Sequence, residues 1–251
     1  MSMISSGKDI YATFILILAI MFFGGCSDDV SPAGPEETYN FMVTYSSSSS
    51  QLNLADLPVY TIEEQKTVKL SDLVDTSLIT EPYNYAYRPI GSDGFYANLK
   101  GSPDNSWDHM QDGYIVLSTM GVTFDISLGL ISRYNIRDAA ELKILRKIDF
   151  ITPADSLIQH IVDEMTQTAF EDSLNGIALT EFIPEEVVSS PSSYVYKLIA
   201  ADDYSIILSY EQLQKGFYII DRDQILYTDS EITGSFKIKT LNRLIAKTPS
   251  E

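Results

Sequence analysis

The chain has 251 residues, and its 35 acidic residues against 17 lysines and arginines give a formal net charge of -18 at pH 7. Such a surface repels nucleic acid and anionic lipid, so the composition excludes a nucleic-acid partner. The single cysteine excludes an intramolecular disulfide, and the 11% of aromatic residues favour a folded body over a disordered stalk.

Residues 1–25 are predicted to form a signal peptide. Lys8 precedes an apolar run over residues 14–23, which is too short for a mature membrane anchor and is typical of a signal peptide. The following Gly24-Gly25-Cys26 resembles the lipobox of bacterial lipoproteins, in which the cysteine receives the lipid. The resemblance implies that palmitate or similar acyl chains on Cys26 anchor the protein in a membrane. The alternative is a free thiol beside a transmembrane helix.

The residues after Cys26 indicate where in the cell the protein is located. Ser27-Asp28-Asp29 resembles the acidic signal that sends lipoproteins of Bacteroidetes-like bacteria to the outer membrane, and the alternative is an ordinary acidic linker. We therefore expect a cell-envelope protein at the outer membrane, either periplasmic or surface-exposed. Residues 26–50 are predicted to be a flexible tether, since they are rich in serine and acidic residues. Within them, residues 39–45 form either a strand or part of the tether.

An internal duplication is the strongest signal in the body of the chain. Residues 68–100 align without a gap to residues 177–209 at an offset of 109. A six-residue insertion in the first copy then lowers the offset to 103. The closing strands are predicted to match at an offset of 97, which aligns Ile144 with Leu241. The agreement predicts two copies of one fold.

The first half of each copy is predicted to contain a short helix and a hairpin. The helix is capped by Ser71 in the first copy and by Thr180 in the second. An alternating strand over residues 83–88 leads through a turn at Asp93 into a partner strand over residues 95–99. The equivalent turn of the second copy lacks glycine, so its type is expected to differ.

The second half of each copy is predicted to begin with another short helix. In the first copy this helix covers residues 107–112 and ends at Gly113, where glycine takes the left-handed conformation of a helix stop. Gly216 is predicted to end the equivalent helix of the second copy in the same way. The strands that follow are predicted over residues 114–117, 142–148, 224–227 and 241–245.

Residues 152–175 are predicted to form an amphipathic helix between the copies. Thr152 caps this helix and Pro153 occupies its first position. Its apolar stripe consists of Leu157, Ile158, Ile161, Val162, Met165 and Ala169. The predicted fold class is α+β, with two tandem small domains of mixed β-sheets and short helices, related by internal duplication and joined by this helix. The two domains cover residues 51–151 and 176–247.

The motifs of the two copies resemble a known family. The first copy contains LSDL from Leu70, GSDGFYA from Gly91, GYIVL from Gly113 and LKILRKI from Leu142, and the second contains ADDYSIILSYEQLQKG from Ala201. Their order is similar to the molybdopterin-binding domain of the sulfite oxidase family. The resemblance implies a cofactor-binding fold, but neither copy contains the cysteine whose sulfur ligates molybdenum in that family. The activity is therefore expected to be lost, and no cofactor is predicted.

Charged residues at aligned positions are candidates for ligand binding. Asp93, Asp202 and Asp203 lie at equivalent turns, so they are either paired acids or turn residues whose side chains accept backbone hydrogen bonds. Arg88 aligns with Lys197 and gives each copy one basic candidate on its strand.

Trp107 and His109 complete the candidates. Trp107 is surrounded in the sequence by Asp104, Asn105 and Asp108. These residues indicate either a site for calcium or a sugar ring, or a solvated loop whose indole lies in the core. His109 and His160 are the only histidines, and their spacing does not place two imidazoles on one helix face. No metal site is therefore predicted.

These observations favour a non-catalytic binding or interaction module, anchored to the membrane through the lipid on Cys26. Its partner is expected to be another envelope protein or a small ligand bound between the domains. The alternative is a redox protein that retains a cofactor in a sulfite-oxidase-like fold; if the chain is an enzyme, it is expected to be an oxidoreductase of that type. A polysaccharide hydrolase would need two acids about 5 to 10 Å apart.

Overall fold

Strands dominate this protein. The computed structural model describes residues 38–45, 48–79, 81–97, 105–124, 134–171, 174–229, 232 and 236–249. Of these residues, 49% lie in strands and 19% in short helical segments. The predicted α+β class is therefore wrong, and the fold is β-rich. Two short α-helices occur in the described ranges, α1 (Trp107–Asp112) and α2 (Tyr210–Leu213).

The strands fall into two similar series. The first consists of β1 (Asn40–Tyr45), β2 (Ser48–Asn53), β3 (Val59–Ile62), β4 (Gln65–Lys69), β5 (Tyr85–Gly91), β6 (Gly113–Val116), β7 (Gly121–Phe124) and β8 (Ala139–Ile151). The second consists of β9 (Leu157–Ile161), β10 (Thr168–Glu171), β11 (Leu174–Ala178), β12 (Val195–Ala200), β13 (Ser205–Ser209), β14 (Gly216–Ile219), β15 (Gln224–Tyr227) and β16 (Leu241–Lys247). Single 3-10 turns connect several of them: Leu54–Asp56, Leu70–Leu73, Pro82–Asn84, Val162–Glu164, Leu179–Phe182, Pro191–Ser193 and Ile220–Arg222.

One large sheet and two small sheets contain these strands. The large sheet has the order β13-β12-β16-β8-β1-β2, and β5 and β9 also pair with β8. The small sheets have the orders β3-β4-β6-β7 and β10-β11-β14-β15. Each small sheet packs on one part of the large sheet, and the space between them holds a hydrophobic core.

The long strand β8 belongs to both series. Its first half pairs antiparallel with β5 and parallel with β1. Its second half pairs antiparallel with β9 and parallel with β16. The second half of β8 is therefore the counterpart of β1, and β9 is the counterpart of β2. The structural repeats cover residues 40–146 and 147–247, called below the first and second repeat.

Strand register corrects one of the predicted offsets. Tyr87 of β5 pairs with Ile144, and its counterpart Tyr196 of β12 pairs with Ala246. The closing strands therefore correspond at an offset of 102, and the predicted match of Ile144 with Leu241 is wrong. Neither strand alternates strictly, and at the wrong offset Ile144 and Ile148 still meet apolar residues, Leu241 and Ile245. Only the pairing with a neighbouring strand fixes the register.

The predicted linking helix is absent, because residues 157–161 form β9 and pair with β8. Thr152 does not cap a helix; its hydroxyl accepts hydrogen bonds from the amides of Ala154 and Ser156 in the turn between β8 and β9. Asp155 completes this turn with φ 57°. The β-branched residues of the stripe suit a strand as well as a helix.

The predicted tether contains ordered structure. Residues 40–45 and 48–53 form the antiparallel hairpin β1–β2, which belongs to the large sheet. The strand alternative for residues 39–45 is therefore confirmed over residues 40–45, and the tether prediction is wrong for residues 48–50. Serine does not prevent strand formation where a neighbouring strand supplies the backbone partners. Cys26 and the signal peptide lie outside the described residues.

Two predicted caps are also wrong. Ser71 and Thr180 are the second residues of 3-10 turns, and the residue before each turn makes no side-chain capping bond. The predicted helix over residues 107–112 is confirmed, but Gly113 has φ -99° and is not left-handed. A side chain at Gly113 would instead meet Leu70 and Phe124, which explains the glycine by close packing.

The two repeats differ at one hairpin. β12 and β13 pair as predicted for the second repeat. In the first repeat the described residues 95–97 are not in a strand, and Tyr87 pairs with Asn105 in a single bridge. The turns themselves are alike, because Gly94 and Asp203 both have positive φ, 81° and 66°. The expectation that the glycine-free turn differs in type is therefore wrong.

Each repeat has its own hydrophobic core. Paired tyrosines anchor the two cores: the Tyr87 hydroxyl donates to the Pro82 carbonyl at 2.8 Å, and Tyr196 donates to Pro191 at 2.9 Å. Burial raises the pKa of both hydroxyls. Residues 38–251 form one compact unit that contains both cores and all three sheets. This unit therefore includes the contacts it needs to fold on its own.

Candidate functional site

A groove opens on the first repeat beside the edge strand of the large sheet. Its floor consists of residues of β1, β2 and β8. Residues 72–79, which include the end of the 3-10 turn Leu70–Leu73, form the facing wall. The volume of about 670 Å³ lies within the range of about 300–1,000 Å³ that is usual for small-molecule sites. We call it the first-repeat groove.

The walls of the first-repeat groove are mainly aliphatic. The apolar side chains that face it are Val43, Leu52, Leu57, Leu73, Val74, Leu78, Ile79 and Ile144. Hydroxyl groups of Ser48, Ser49, Ser50 and Tyr45 supply polar atoms on the β1–β2 side. The groove thus provides apolar contact for a ligand and a limited number of hydrogen-bonding groups.

The second repeat shows why the groove exists. The cross-strand pair Val43 and Ser50 of β1–β2 corresponds to the pair Phe150 and Ile158 of β8–β9. Phe150 is fully buried, and Ile158 packs against the second core. A small pair therefore leaves space in the first repeat where a large pair fills it in the second.

The facing wall repeats this difference. Leu73 is the last residue of the 3-10 turn Leu70–Leu73, and Phe182 is its counterpart in the turn Leu179–Phe182. Phe182 is fully buried and meets the edge of the His160 ring at 5.5 Å between ring centroids. Three large side chains of the second repeat are thus replaced by smaller ones around the groove. At other lining positions the first repeat has the larger side chain: Ile144 corresponds to Ala246, Ile79 to Val188, Leu78 to Val187 and Tyr45 to Thr152.

Two carboxylates face the groove. Asp72 Oδ2 is buried and has no hydrogen-bond partner among the described residues. Asp75 is exposed, and its Oδ1 accepts from the Ser77 amide at 2.9 Å and the Ser77 hydroxyl at 2.6 Å. These hydrogen bonds, the hydroxyl first, hold the pKa of Asp75 below its usual value. The described lining residues include no lysine, arginine or histidine.

The basic candidates of the sequence lie elsewhere. Arg88 is buried on β5, forms an ion pair with Glu164 of the second repeat, and lies over the ring of Tyr96 at 4.6 Å. Lys197 is half-buried on β12 between Ile207 and Ile245 of the adjacent strands. Arg88 therefore connects the repeats, and neither residue is among those that line the groove.

A second ion pair joins the repeats at the middle of β8. Arg146 pairs with Asp223 at the turn between β14 and β15, and its guanidinium lies 5.3 Å from the centre of the Tyr218 ring. The Tyr218 hydroxyl donates to Asp223 at 2.8 Å. Burial raises the pKa of Tyr218, so this hydroxyl remains a donor at neutral pH. These contacts fix the frame on which the groove is built.

The candidate aspartates stabilise the turns in which they lie. Asp93 Oδ1 accepts from the Phe95 amide at 2.9 Å, and Asp202 Oδ1 accepts from the Tyr204 amide at 3.1 Å. Asp203 occupies the left-handed position of the same turn. This confirms the structural alternative for Asp93 and Asp202, and gives no support to a shared pair of acids.

Trp107 and His109 belong to helix α1. The indole is buried and packs on Tyr87, with 5.5 Å between ring centroids. His109 forms a capping box with Ser106, because the Ser106 amide donates to His109 Nδ1 and the His109 amide donates to Ser106 Oγ. Burial lowers the pKa of His109. Both residues thus stabilise the first repeat and do not line the groove.

The described part of the chain contains no group of three or more potential metal ligands. No helix within it is long and apolar enough to cross a membrane. No family model matches the sequence, and no curated protein and no solved structure is similar to the chain. The resemblance to the sulfite oxidase family therefore stays a prediction.

The groove was not predicted from the sequence. The gapless alignment already matched Leu73 with Phe182, so one large-to-small exchange was visible. Val43 and Ser50 lay in the predicted tether; their counterparts Phe150 and Ile158 lay in the predicted first domain and in the predicted linking helix. Correct strand assignments there would have shown several smaller residues on one face, which is the signal for a cavity.

Proposed function

We propose that this protein is a lipid-anchored binding protein of the cell envelope and that it holds a small ligand in the first-repeat groove. The observation that carries the proposal is the exchange of Phe150, Ile158 and Phe182 of the second repeat for Val43, Ser50 and Leu73 in the first. The concave site that remains has apolar side chains at its surface, of which Leu78 is exposed and Leu52 and Leu57 are half-buried. Apolar surface of this kind gains free energy when a ligand removes it from water.

The division of roles follows from the duplication. The second repeat has a filled core, and it is joined to the first by β8 and by the ion pairs of Arg88 and Arg146. Groups that line a binding site need rigid support to keep their geometry. We assign the second repeat to this support and the first repeat to binding. The lipid on Cys26 would hold both at the membrane.

Binding is tested by filling the groove with the residues of the second repeat. The compact unit 38–251 is titrated with the neutral fluorescent probe N-phenyl-1-naphthylamine (NPN), whose emission rises in apolar surroundings. The original protein is expected to bind one NPN in a saturable manner, and the variant Val43→Phe/Leu73→Phe is expected to lose this binding. An unchanged titration curve of a folded filled variant would overturn the proposal, as would absence of NPN binding by the original protein.

The control introduces the same side chain outside the groove. Val59 and Leu157 are exposed and do not line it, so Val59→Phe/Leu157→Phe should bind NPN as the original protein does. If the filled variant does not fold, Ser50→Ile replaces it, because this change adds bulk at the rim of the groove. Ser50→Ile should then weaken NPN binding by about tenfold, the effect of about 1.4 kcal/mol.

The anchor is tested in cells. An alkyne analogue of palmitate is fed to the producing bacterium, and the full chain is compared with Cys26→Ala. The proposal requires label on the full chain and its loss in the variant. Label that persists in Cys26→Ala, or a full chain that stays unlabelled, would contradict the lipid anchor.

A further inference from the structure

We infer that the ligand of the first-repeat groove is a small amphipathic amine, whose ammonium group binds the Asp72 carboxylate and whose apolar body lies on the aliphatic walls. This inference rests on the proposed function and specifies its ligand. It follows from three features of the groove: its charge, its unpartnered oxygen and its difference from the second repeat.

The charged side chains that line the groove are all negative. Its charged lining residues are Asp72 and Asp75, and the described lining contains no basic side chain. The whole chain carries a formal charge of -18, so the surrounding surface adds to the negative potential. A carboxylate or phosphate ligand would be repelled, whereas a cation would be attracted to the groove. This argues against a phospholipid, because its phosphate would approach the same carboxylates.

The Asp72 side chain supplies the specific contact. Its Oδ2 is buried and lacks a hydrogen-bond partner in the part of the chain that the structure describes. A carboxylate oxygen is an acceptor only, and leaving it unpaired in apolar surroundings is unfavourable. Asp72 lines the groove, so an ammonium group bound there can turn this carboxylate toward itself and give it a charge-assisted hydrogen bond, which is stronger than one from a neutral hydroxyl.

The second repeat lacks this arrangement. The counterpart of Asp72 is Glu181, which is exposed, and the counterpart of Asp75 is Pro184. Phe182 and Phe150 stand where the first repeat has Leu73 and Val43. The half-buried acid and the mainly apolar groove thus occur together in the first repeat, as a binding site for an amphipathic cation requires.

Three eight-carbon compounds test the inference by displacing NPN from the unit 38–251 at pH 7. Octylamine is protonated, because alkyl amines have a pKa near 10.4, as lysine does; octanol is neutral and octanoate is an anion. Octylamine should displace NPN at a concentration about tenfold or more below that of octanol. Octanoate should be the weakest of the three.

The variant Asp72→Asn tests whether the Asp72 carboxylate causes the preference for the amine. After correction for the NPN affinity of the variant itself, octylamine and octanol should displace the probe at concentrations within about twofold of each other. Asp93→Asn is the matched control, since Asp93 lies in an exposed turn outside the groove, and it should keep the preference for the amine.

The outcomes separate the two proposals. If NPN does not bind the original protein, the groove is not a binding site and both proposals fall. If NPN binds but octanol displaces it as well as octylamine does, the amine inference is overturned and the proposed function remains. A preference for the amine that survives in Asp72→Asn also overturns the inference, because it places the charge recognition elsewhere.

Discussion

Replacing Gly113 by alanine tests the packing of the first repeat. Gly113 lies opposite Phe124 in the β6–β7 pair, and a β-carbon on it would be 2.6 Å from Phe124 Cε1 and 2.6 Å from Leu70 Cδ1. Its backbone angles, φ -99° and ψ 150°, are open to alanine. Without the clash, Gly113→Ala would therefore stabilise the fold by about 0.4–1 kcal/mol, because it restricts the unfolded chain.

The clash is expected to reverse this sign. Overpacking in a core costs about 1–3 kcal/mol, so the net effect should be a loss of about 1–2 kcal/mol. For a unit of this size the melting temperature would fall by about 2–8 °C. The assay is urea unfolding of the unit 38–251 at pH 7, followed by circular dichroism and by Trp107 fluorescence.

A second background shows whether packing is the cause. Phe124→Val removes the ring atoms, and the Leu70 methyl group can move aside. In this background Gly113→Ala should be neutral or stabilising. A left-handed glycine, as the sequence suggested, would be sensitive to alanine in both backgrounds. An equal loss of stability with and without the Phe124 ring would therefore refute the packing argument.

Two further predictions concern the second repeat and the turns. Burial lowers the pKa of His160 in the folded state, although a hydrogen bond with the Phe182 backbone and the charge of Asp149 act in the opposite direction. The unfolded chain then binds more protons, so the free energy of unfolding should fall as pH drops below about 6.5. Urea unfolding at pH 7.5 and 5.5 should show a smaller fall for His160→Leu, and an equal fall would contradict this reasoning. Gly94→Ala should lower stability by about 1–2 kcal/mol because φ is 81°, whereas Asp203→Gly should change it by less than about 1 kcal/mol, since glycine tolerates φ 66°. Melting temperatures check both, and a greater loss in Asp203→Gly would show that its side chain stabilises the turn.

Local signals in the sequence predicted several elements correctly. The 107–112 helix and the strand over residues 224–227 have the predicted bounds, and Asp93 forms the predicted turn. Each depends on neighbouring residues: a helix start after Ser106, an alternating apolar pattern, or an aspartate that accepts its own backbone amide. The offset of 109 also joins equivalent turns, such as Leu70–Leu73 and Leu179–Phe182.

Signals that depend on distant pairing were not visible in the sequence. The residues of β9 carry an apolar pattern that a helix also satisfies, and only pairing with β8 makes them a strand. The serines of β2 have low strand propensity, and their pairing with β1 supplies the missing stabilisation. Both errors lie at the start of a repeat. This is why the predicted repeats began too late and the groove was divided between the predicted tether and the predicted first domain.

The duplication explains why the groove occurs in only one of the two repeats. Two copies of one fold start with equivalent positions, and each needs a filled core to be stable alone. Here one long strand, β8, continues from the first repeat into the second, so the copies share a sheet and the second core supports both. The first copy can then hold small side chains at Val43 and Leu73 and a half-buried carboxylate at Asp72, which would weaken an isolated domain. Positions where the two copies differ in size or charge while sharing a backbone are therefore where function is to be sought, and they converge on the first-repeat groove.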